Sequence, residues 1–79
     1  MKSIHDPRYV EMINHLKQVR KSKNISQVEL GESLGRDQKY VSKVESFIRR
    51  LDLIELLDWL DALGYETEAF LQDIGRLKR

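Results

Sequence analysis

The sequence predicts an all-α fold of five short helices and no strand. Apolar residues recur three and four positions apart, helix-capping residues precede the apolar runs, and Gly or Asn follows several of them. With 79 residues, 4 Gly, 1 Pro and 41% hydrophobic residues, the chain is expected to form one ordered domain over residues 1–79. A domain this small buries only about 60% of its unfolded surface, so we expect its stability to be marginal or shared with a second subunit.

The first helix is predicted from Pro7 to about Lys23. Asp6 can cap the free N–H groups at its start, and Pro suits the first helical position. Asn24 ends the helix because it tolerates the left-handed conformation. The apolar residues of this helix recur at helical spacing and comprise Tyr9, Met12, Ile13, Leu16 and Val19.

The second and third helices form a closely spaced pair. A Ser-x-x-Glu capping box at 26–29 places the start of the second helix at Gln27, and Gly35 ends it. Asp37 caps the third helix. A turn this short forces the two helices to cross steeply, so the sequence predicts a helix-turn-helix at Gln27–Ser46. The apolar residues that fill the angle between them are Leu30, Leu34, Val41 and Val44.

The last two helices follow the same pattern of caps. Asp52 and Glu55 repeat the capping box, which predicts a fourth helix over Leu53–Leu63. Thr67 is the expected cap of a fifth helix at about 67–78. Its apolar residues either seal the small core or face a second copy in a homodimer, and they are Phe70, Leu71, Ile74 and Leu77.

Charge is divided unevenly along the chain. Residues 1–50 carry 11 Lys or Arg against 6 Asp or Glu, a net charge of +5, whereas residues 51–79 carry 3 against 7, a net charge of −4. One side of the molecule could therefore face a polyanion, although ordinary scatter of surface charge explains the numbers equally well.

Several classes of function lack the residues they need. There is no Cys for a disulfide or a thiolate metal site, and the two His residues have no metal-ligand spacing. The sequence contains no Gly-rich phosphate loop and no nucleophile–base arrangement, so we expect neither an enzyme nor a metal or cofactor. No apolar run approaches the ~20 residues that span a bilayer, and the first residues lack the apolar centre of a signal peptide. A cytoplasmic protein without a membrane contact is expected.

Between about Tyr9 and Tyr65, a series of apolar, small and polar residues follows one another in an order that matches a known family of proteins. It comprises Leu16, Arg20, Ile25, Ser26, Gln27, Leu30, Gly31, Leu34, Gly35, Val41, Ser42, Val44, Glu45, Arg49, Leu63 and Gly64. This set resembles the XRE family of helix-turn-helix proteins, which includes the Cro proteins and repressors of lambdoid phages. The resemblance implies a compact five-helix, lambda-repressor-like domain in a prokaryotic or phage-encoded protein that binds double-stranded DNA.

The resemblance also implies roles for individual residues. The outer face of the third helix would read base edges in the major groove through Gln38, Lys39, Ser42 and Lys43. Contacts to the DNA backbone are expected from Lys17, Gln27, Tyr40, Arg49 and Arg50. Arg36 departs from the family pattern, which commonly has an apolar or small residue there, and is expected to add a further phosphate contact. Arg20 and Glu45 match a partly buried ion pair that locks the first helix to the third.

Phe47 departs from the family pattern, which has Gly at this position. A bulky residue is disfavoured in a left-handed turn, so we expect the loop to take a different path. Ile48 makes this segment unusually apolar for a loop beside DNA, and the backbone contacts of Arg49 and Arg50 depend on that path.

Three functions are compatible with these features. The first is a transcriptional repressor that binds a palindromic operator as a homodimer, with its recognition helices about 34 Å apart. The second is the antitoxin of a toxin–antitoxin pair, with a toxin as partner, or the controller of a restriction system. The third is a protein-interaction module that has lost DNA binding. It predicts a recognition face short of Lys, Gln and Arg, whereas this face contains Gln and Lys.

Overall fold

The computed structural model describes residues 4–77, with side chains described for residues 4–75. These residues form five helices and no strand, which confirms the all-α prediction: α1 is Pro7–Ser22, α2 Gln27–Ser33, α3 Gln38–Glu45, α4 Leu53–Leu63 and α5 Thr67–Leu77. Helix α5 begins at Thr67 itself rather than after it. Within the described residues, no helix is both long and apolar enough to cross a membrane. The same residues contain no group of three His, Cys, Asp or Glu side chains that could hold a metal ion.

Side-chain caps define where the helices start. In α2 the Ser26 hydroxyl accepts from the Glu29 N–H at 3.0 Å, and the Glu29 carboxylate accepts from the Ser26 N–H at 2.8 Å. Asp52 and Glu55 make the same reciprocal pair at α4, at 2.8 and 3.0 Å. Asp37 caps α3 by accepting from the Tyr40 N–H at 3.0 Å. Each cap contributes about 1 kcal/mol and fixes a boundary locally, which is why the sequence predicted these starts.

The core is built from residues of all five helices, and Trp59 of α4 is fully buried in it. Its polar groups are satisfied within the core: the Trp59 indole N–H donates to the Tyr40 hydroxyl at 3.0 Å, and the Leu51 N–H donates to the Tyr9 hydroxyl at 2.9 Å. The buried apolar residues are Tyr9, Ile13, Leu16, Val19, Leu30, Tyr40, Val41, Val44, Leu51, Leu56, Trp59, Leu60, Leu63 and Phe70.

The close approach of α2 to the start of α3 depends on Gly31. A Cβ added at Gly31 would lie 2.9 Å from the carbonyl oxygen of Asp37, closer than real Cβ atoms approach. Gly31 therefore lets the first turn of α3 pack directly against the middle of α2. This contact offsets the ~1 kcal/mol that Gly costs inside a helix.

One hydrogen-bond pattern ends four of the helices. After α3, the Phe47 N–H donates to the Val44 carbonyl at 3.1 Å and the Ile48 N–H to the Lys43 carbonyl at 2.8 Å. This Schellman pattern needs a left-handed residue, and Phe47 supplies it with φ 63°. The other three ends have the same paired bonds with positive φ at Asn24, Gly35 and Gly64.

The expectation of a different path at Phe47 was therefore wrong. The steric penalty for a non-Gly residue in this region is about 1–2 kcal/mol. The Phe47 side chain is half-buried and packs against the core, and burial of an apolar side chain of this size contributes up to ~1.5–3 kcal/mol. Packing thus offsets the strain, and the chain keeps the turn that Gly usually makes.

A pair of variants at Phe47 separates strain from packing. Phe47→Ala removes the packed ring but keeps a Cβ in the left-handed region, whereas Phe47→Gly removes both. We expect the Gly variant to be more stable than the Ala variant by about 1 kcal/mol in urea denaturation. At the neighbouring Ser46, where φ is −97°, Ala should be at least as stable as Gly. Equal stability of the two Phe47 variants would contradict the strain.

Helix α5 packs against α1. The sequence left open whether its apolar residues belong to the core or to a contact with a second copy, and the structure places them in different environments. Phe70 is 0% exposed and its ring stacks on His15 at 5.4 Å between ring centroids, so it belongs to the core and offers no surface to a second copy. Ile74 is partly buried against the core, whereas Leu71 is 49% exposed. The side chain of Leu77 lies outside the described residues.

Candidate nucleic-acid interface

The polar face of α3 points away from the core. Val41 and Val44 are both fully buried and anchor the opposite side of the helix. Residues three and four positions apart share one face of a helix, so the polar residues of α3 come together on the outside. They line one shallow depression in the surface and are Gln38, Lys39, Ser42 and Lys43. The structure thus brings the four sequence-predicted base-reading residues onto one surface.

A buried ion pair fixes α3 to α1. Arg20 is 6% exposed and Glu45 is 4% exposed, and the guanidinium donates twice to the carboxylate, from Nε at 2.8 Å and from Nη2 at 3.0 Å. Arg20 Nη1 also donates to the Ile25 carbonyl at 2.7 Å, in the connection between α1 and α2. The bidentate pair therefore joins the last turn of α1 to the end of α3, and Arg20 also holds the connection that leads into α2.

Gln27 connects this ion pair to the outer face of α3. Its amide donates to Glu45 Oε1 at 3.0 Å, and its carbonyl oxygen accepts from the Gln38 amide at 3.3 Å. The family resemblance implies that Gln27 contacts a DNA phosphate, and this stays a prediction. In the structure its side chain is part of a chain of hydrogen bonds from Arg20 through Glu45 to Gln38. This chain orients the first residue of the recognition face.

Tyr40 lies between two arginines at the amino end of α3. The guanidinium carbons of Arg36 and Arg49 lie 4.2 and 4.8 Å from the centre of its ring. Its hydroxyl donates to Glu55 at 3.3 Å and accepts from Trp59. Burial raises the pKa of the Tyr40 hydroxyl above its ordinary value, so it stays protonated at neutral pH. The arginines are 45% and 39% exposed at their side chains, so the stack leaves them accessible.

Glu55 of α4 holds the two arginines over that ring. Its Oε2 lies 2.7 Å from Arg49 Nη1 and 3.7 Å from Arg36 Nη2. Burial alone would raise the pKa of Glu55, but the Asp52 N–H, Arg49 and the Tyr40 hydroxyl together lower it below its ordinary value. The carboxylate is therefore ionised at neutral pH. The sequence predicted Glu55 as part of a capping box and gave no sign of this second role, because nothing in the spacing connects Glu55 with Arg36, Tyr40 and Arg49.

Arg50 and Lys17, which were also predicted to contact the DNA backbone, lie apart from the Tyr40 cluster. Arg50 follows Arg49 in the chain but stacks on another ring, with its guanidinium carbon 5.0 Å from the centre of Tyr9. It lines a shallow pocket together with Ile74 of α5. Lys17 is half-buried on α1. The structure therefore groups Arg36, Tyr40 and Arg49, and does not place Arg50 with them.

Comparisons with known proteins agree with this geometry. The family model described as "Helix-turn-helix" matches residues 16–70, which include α2, α3 and α4. An "XRE-family like protein" from Pseudomonas syringae pv. tomato str. DC3000 is similar in structure, with 37% identity and a TM-score of 0.88 over 96% of this chain and 93% of that chain. A search among curated proteins finds no match. The chain belongs to the XRE-type helix-turn-helix family of DNA-binding regulators.

Proposed function

We propose that this protein is a transcriptional repressor that binds a palindromic operator as a homodimer, with α3 in the major groove. The observation that carries the proposal is the outer face of α3, where two Lys and a Gln lie exposed on a helix that core packing and a buried ion pair hold in place. A face built only for protein contacts would not need this cluster of hydrogen-bond donors beside a rigid scaffold.

The side chains on this face have suitable chemistry for reading bases. Lys39 and Lys43 can donate to the O6 and N7 acceptors of guanine, and Gln38 can pair with adenine through its amide. An α-helix such as α3 has a diameter of about 10–12 Å with its side chains. The major groove is about 12 Å wide and admits a helix of this kind.

The arginines stacked on Tyr40 would act on the DNA backbone. Arg36 precedes α3 and Arg49 follows it, and both guanidiniums lie over the ring of Tyr40 in α3. Arg binds phosphate through a planar fork of donors, and stacking on a ring reduces the rotamer freedom lost on binding. Such contacts position α3 without reading sequence.

Selection of bound sites from a random DNA library tests the function directly. We expect one enriched sequence made of two inverted half-sites, with centres separated by about one helical turn of DNA. Binding to the selected duplex should weaken steeply as salt rises, because each phosphate contact releases condensed counterions. A library without an enriched site, or affinity independent of salt, would refute operator binding.

Alanine substitutions on α3 test which residues read the operator. Lys39→Ala and Lys43→Ala are each expected to cost about 1–3 kcal/mol at the affected base pair and to relax preference there. Lys21→Ala serves as control. Lys21 is an exposed residue of α1 outside the proposed interface, and its replacement removes the same charge. Fluorescence anisotropy with matched and single-mismatch duplexes measures both the affinity and the base preference of each variant. If all three variants lose affinity equally and keep the base preference, the assignment of α3 as reader is wrong.

A further inference from the structure

Glu55 places a negative charge inside the cluster of side chains that we expect to meet the DNA backbone. Its Oε2 lies 2.7 Å from Arg49 Nη1 and 3.7 Å from Arg36 Nη2, and it accepts from the Tyr40 hydroxyl at 3.3 Å. The Glu55 side chain is 19% exposed, so the carboxylate is less accessible than the two arginines. An anion in this position opposes phosphate binding by the same arginines.

The cap of α4 accounts for one oxygen of Glu55 but not for the other. Oε1 accepts from the Asp52 N–H at 3.0 Å and completes the capping box, whereas Oε2 makes the contacts with the arginines. A capping box needs only an acceptor at this position, and Gln serves there as well as Glu. In the capping box of α2, the carboxylate of Glu29 is described only in its bond to the Ser26 N–H. The charge of Glu55 is therefore separable from its role as a cap.

The arginines have a second support that does not depend on this charge. The Tyr40 ring lies under both guanidiniums, with its centre 4.2 Å from the Arg36 carbon and 4.8 Å from the Arg49 carbon. Tyr40 is 8% exposed, and its hydroxyl accepts from the Trp59 indole at 3.0 Å, so the ring is fixed by the core. A cation is attracted to the face of an aromatic ring whether or not an anion is nearby. We therefore expect the arginines to stay over the ring when Glu55 loses its charge.

A phosphate bound to Arg49 would share that guanidinium with the Glu55 carboxylate. The two anions would repel each other, and at a separation of roughly 6 Å and an effective dielectric constant of about 40–80 this repulsion corresponds to roughly three- to tenfold in affinity. Arg49 would also give up its charge-assisted bond of 2.7 Å to Glu55 if it turned towards the phosphate. None of the described contacts of Glu55 involves the four residues proposed to read bases. The carboxylate therefore acts on the backbone contacts alone.

We propose that Glu55 is an internal counter-ion that limits how strongly Arg36 and Arg49 bind DNA phosphates. The inference rests on the proposed function, since it names the residue that sets the strength of the backbone contacts. Contacts to phosphate contribute affinity for every sequence, whereas contacts to base edges carry the preference. Glu55 therefore reduces the affinity for DNA of any sequence and leaves the preference to Lys39 and Lys43.

Glu55→Gln tests the charge without removing the cap, and Glu29→Gln is the matched control because it removes the same charge from the other capping box. On a duplex of arbitrary sequence at about 100 mM salt, we expect Glu55→Gln to bind roughly three- to tenfold more tightly than the wild type and Glu29→Gln to stay within about twofold. The slope of log K against log salt should steepen by about 0.9 in Glu55→Gln, as for one more phosphate contact. Fluorescence anisotropy measures both quantities. A Glu55→Gln affinity no higher than that of Glu29→Gln overturns the inference, and a loss of affinity would show that Glu55 instead positions the arginines for phosphate.

An Arg49→Gln background shows whether the effect acts through the arginine. If Glu55 limits phosphate binding by Arg49, then Glu55→Gln should raise the affinity for the same duplex by a smaller factor in Arg49→Gln than in the wild type. An equal or larger gain in the Arg49→Gln background would mean that only the net charge of the domain matters, and it would overturn the inference. Circular dichroism checks that all four variants are helical, and urea denaturation compares their stabilities.

The operator from the library selection separates failure of this inference from failure of the proposed function. On the operator and on a single-mismatch duplex, Glu55→Gln should tighten binding by the same factor and leave the base preference unchanged. A gain on the operator alone would make Glu55 part of the base readout and contradict its role as a counter-ion. If the selection yields no operator, the proposed function fails, while the duplex of arbitrary sequence still decides the role of Glu55. If Glu55→Gln does not bind that duplex even at low salt, the inference fails as well.

Discussion

Replacing Glu45 by Ala is expected to destabilise the domain by about 3–5 kcal/mol, because the substitution leaves the Arg20 guanidinium buried without a counter-ion. Arg20→Ala should cost a similar amount, since it strands the carboxylate. A domain of 79 residues has a total stability on the order of 4–12 kcal/mol, so either variant loses a large part of it. Urea denaturation followed by circular dichroism measures the loss.

The double variant Arg20→Met/Glu45→Leu is the control for this result. It removes both charges and keeps apolar volume, and replacements of this kind are often neutral or stabilising. We therefore expect the double variant to be more stable than either single variant. If the double variant instead loses as much free energy of unfolding as the two single variants together, the charges do not interact and the ion pair does not join α3 to α1.

Phe70→Ala should cost about 3–5 kcal/mol, as is usual when a fully buried aromatic ring is truncated. The ring is 0% exposed and stacks on His15, so its removal opens a cavity between α1 and α5. Leu71→Ala, at the adjacent and half-exposed position, should change stability by less than about 0.5 kcal/mol. The two variants therefore differ in stability although they are neighbours in sequence.

These measurements need several protein concentrations, because self-association adds stability that depends on concentration. At the lowest concentration the Phe70→Ala loss should persist, since it arises within one subunit. A Phe70→Ala protein with wild-type stability when dilute and a defect only when concentrated would place Phe70 in an intersubunit contact and contradict its assignment to the core.

The helix boundaries were predictable because their signals are local. The capping box of Ser26 and Glu29 and that of Asp52 and Glu55 each specify a start through two hydrogen bonds across three residues. Periodicity alone did not separate Phe70 from Leu71, because both belong to an apolar run and only tertiary packing decides which side faces the core.

The site was predictable only in part. The outer face of α3 follows from helical spacing, but the arrangement of Arg36, Arg49 and Glu55 around Tyr40 joins side chains from four segments that no local rule connects. The error at Phe47 has a different origin. The steric rule describes the average cost of a left-handed residue, and it omits the burial that offsets that cost at this position.

Under the proposed function, the hydrogen bond between Gln38 and Gln27 has a consequence for redesigning the operator preference. Lys39 and Lys43 are exposed, and Val41 and Val44 on the buried side keep α3 in place, so new side chains at 39 and 43 would change the reading code one position at a time. Position 38 is coupled to the scaffold through Gln27. A new residue there alters the readout and releases a bond that orients the helix, so it needs a compensating change at position 27.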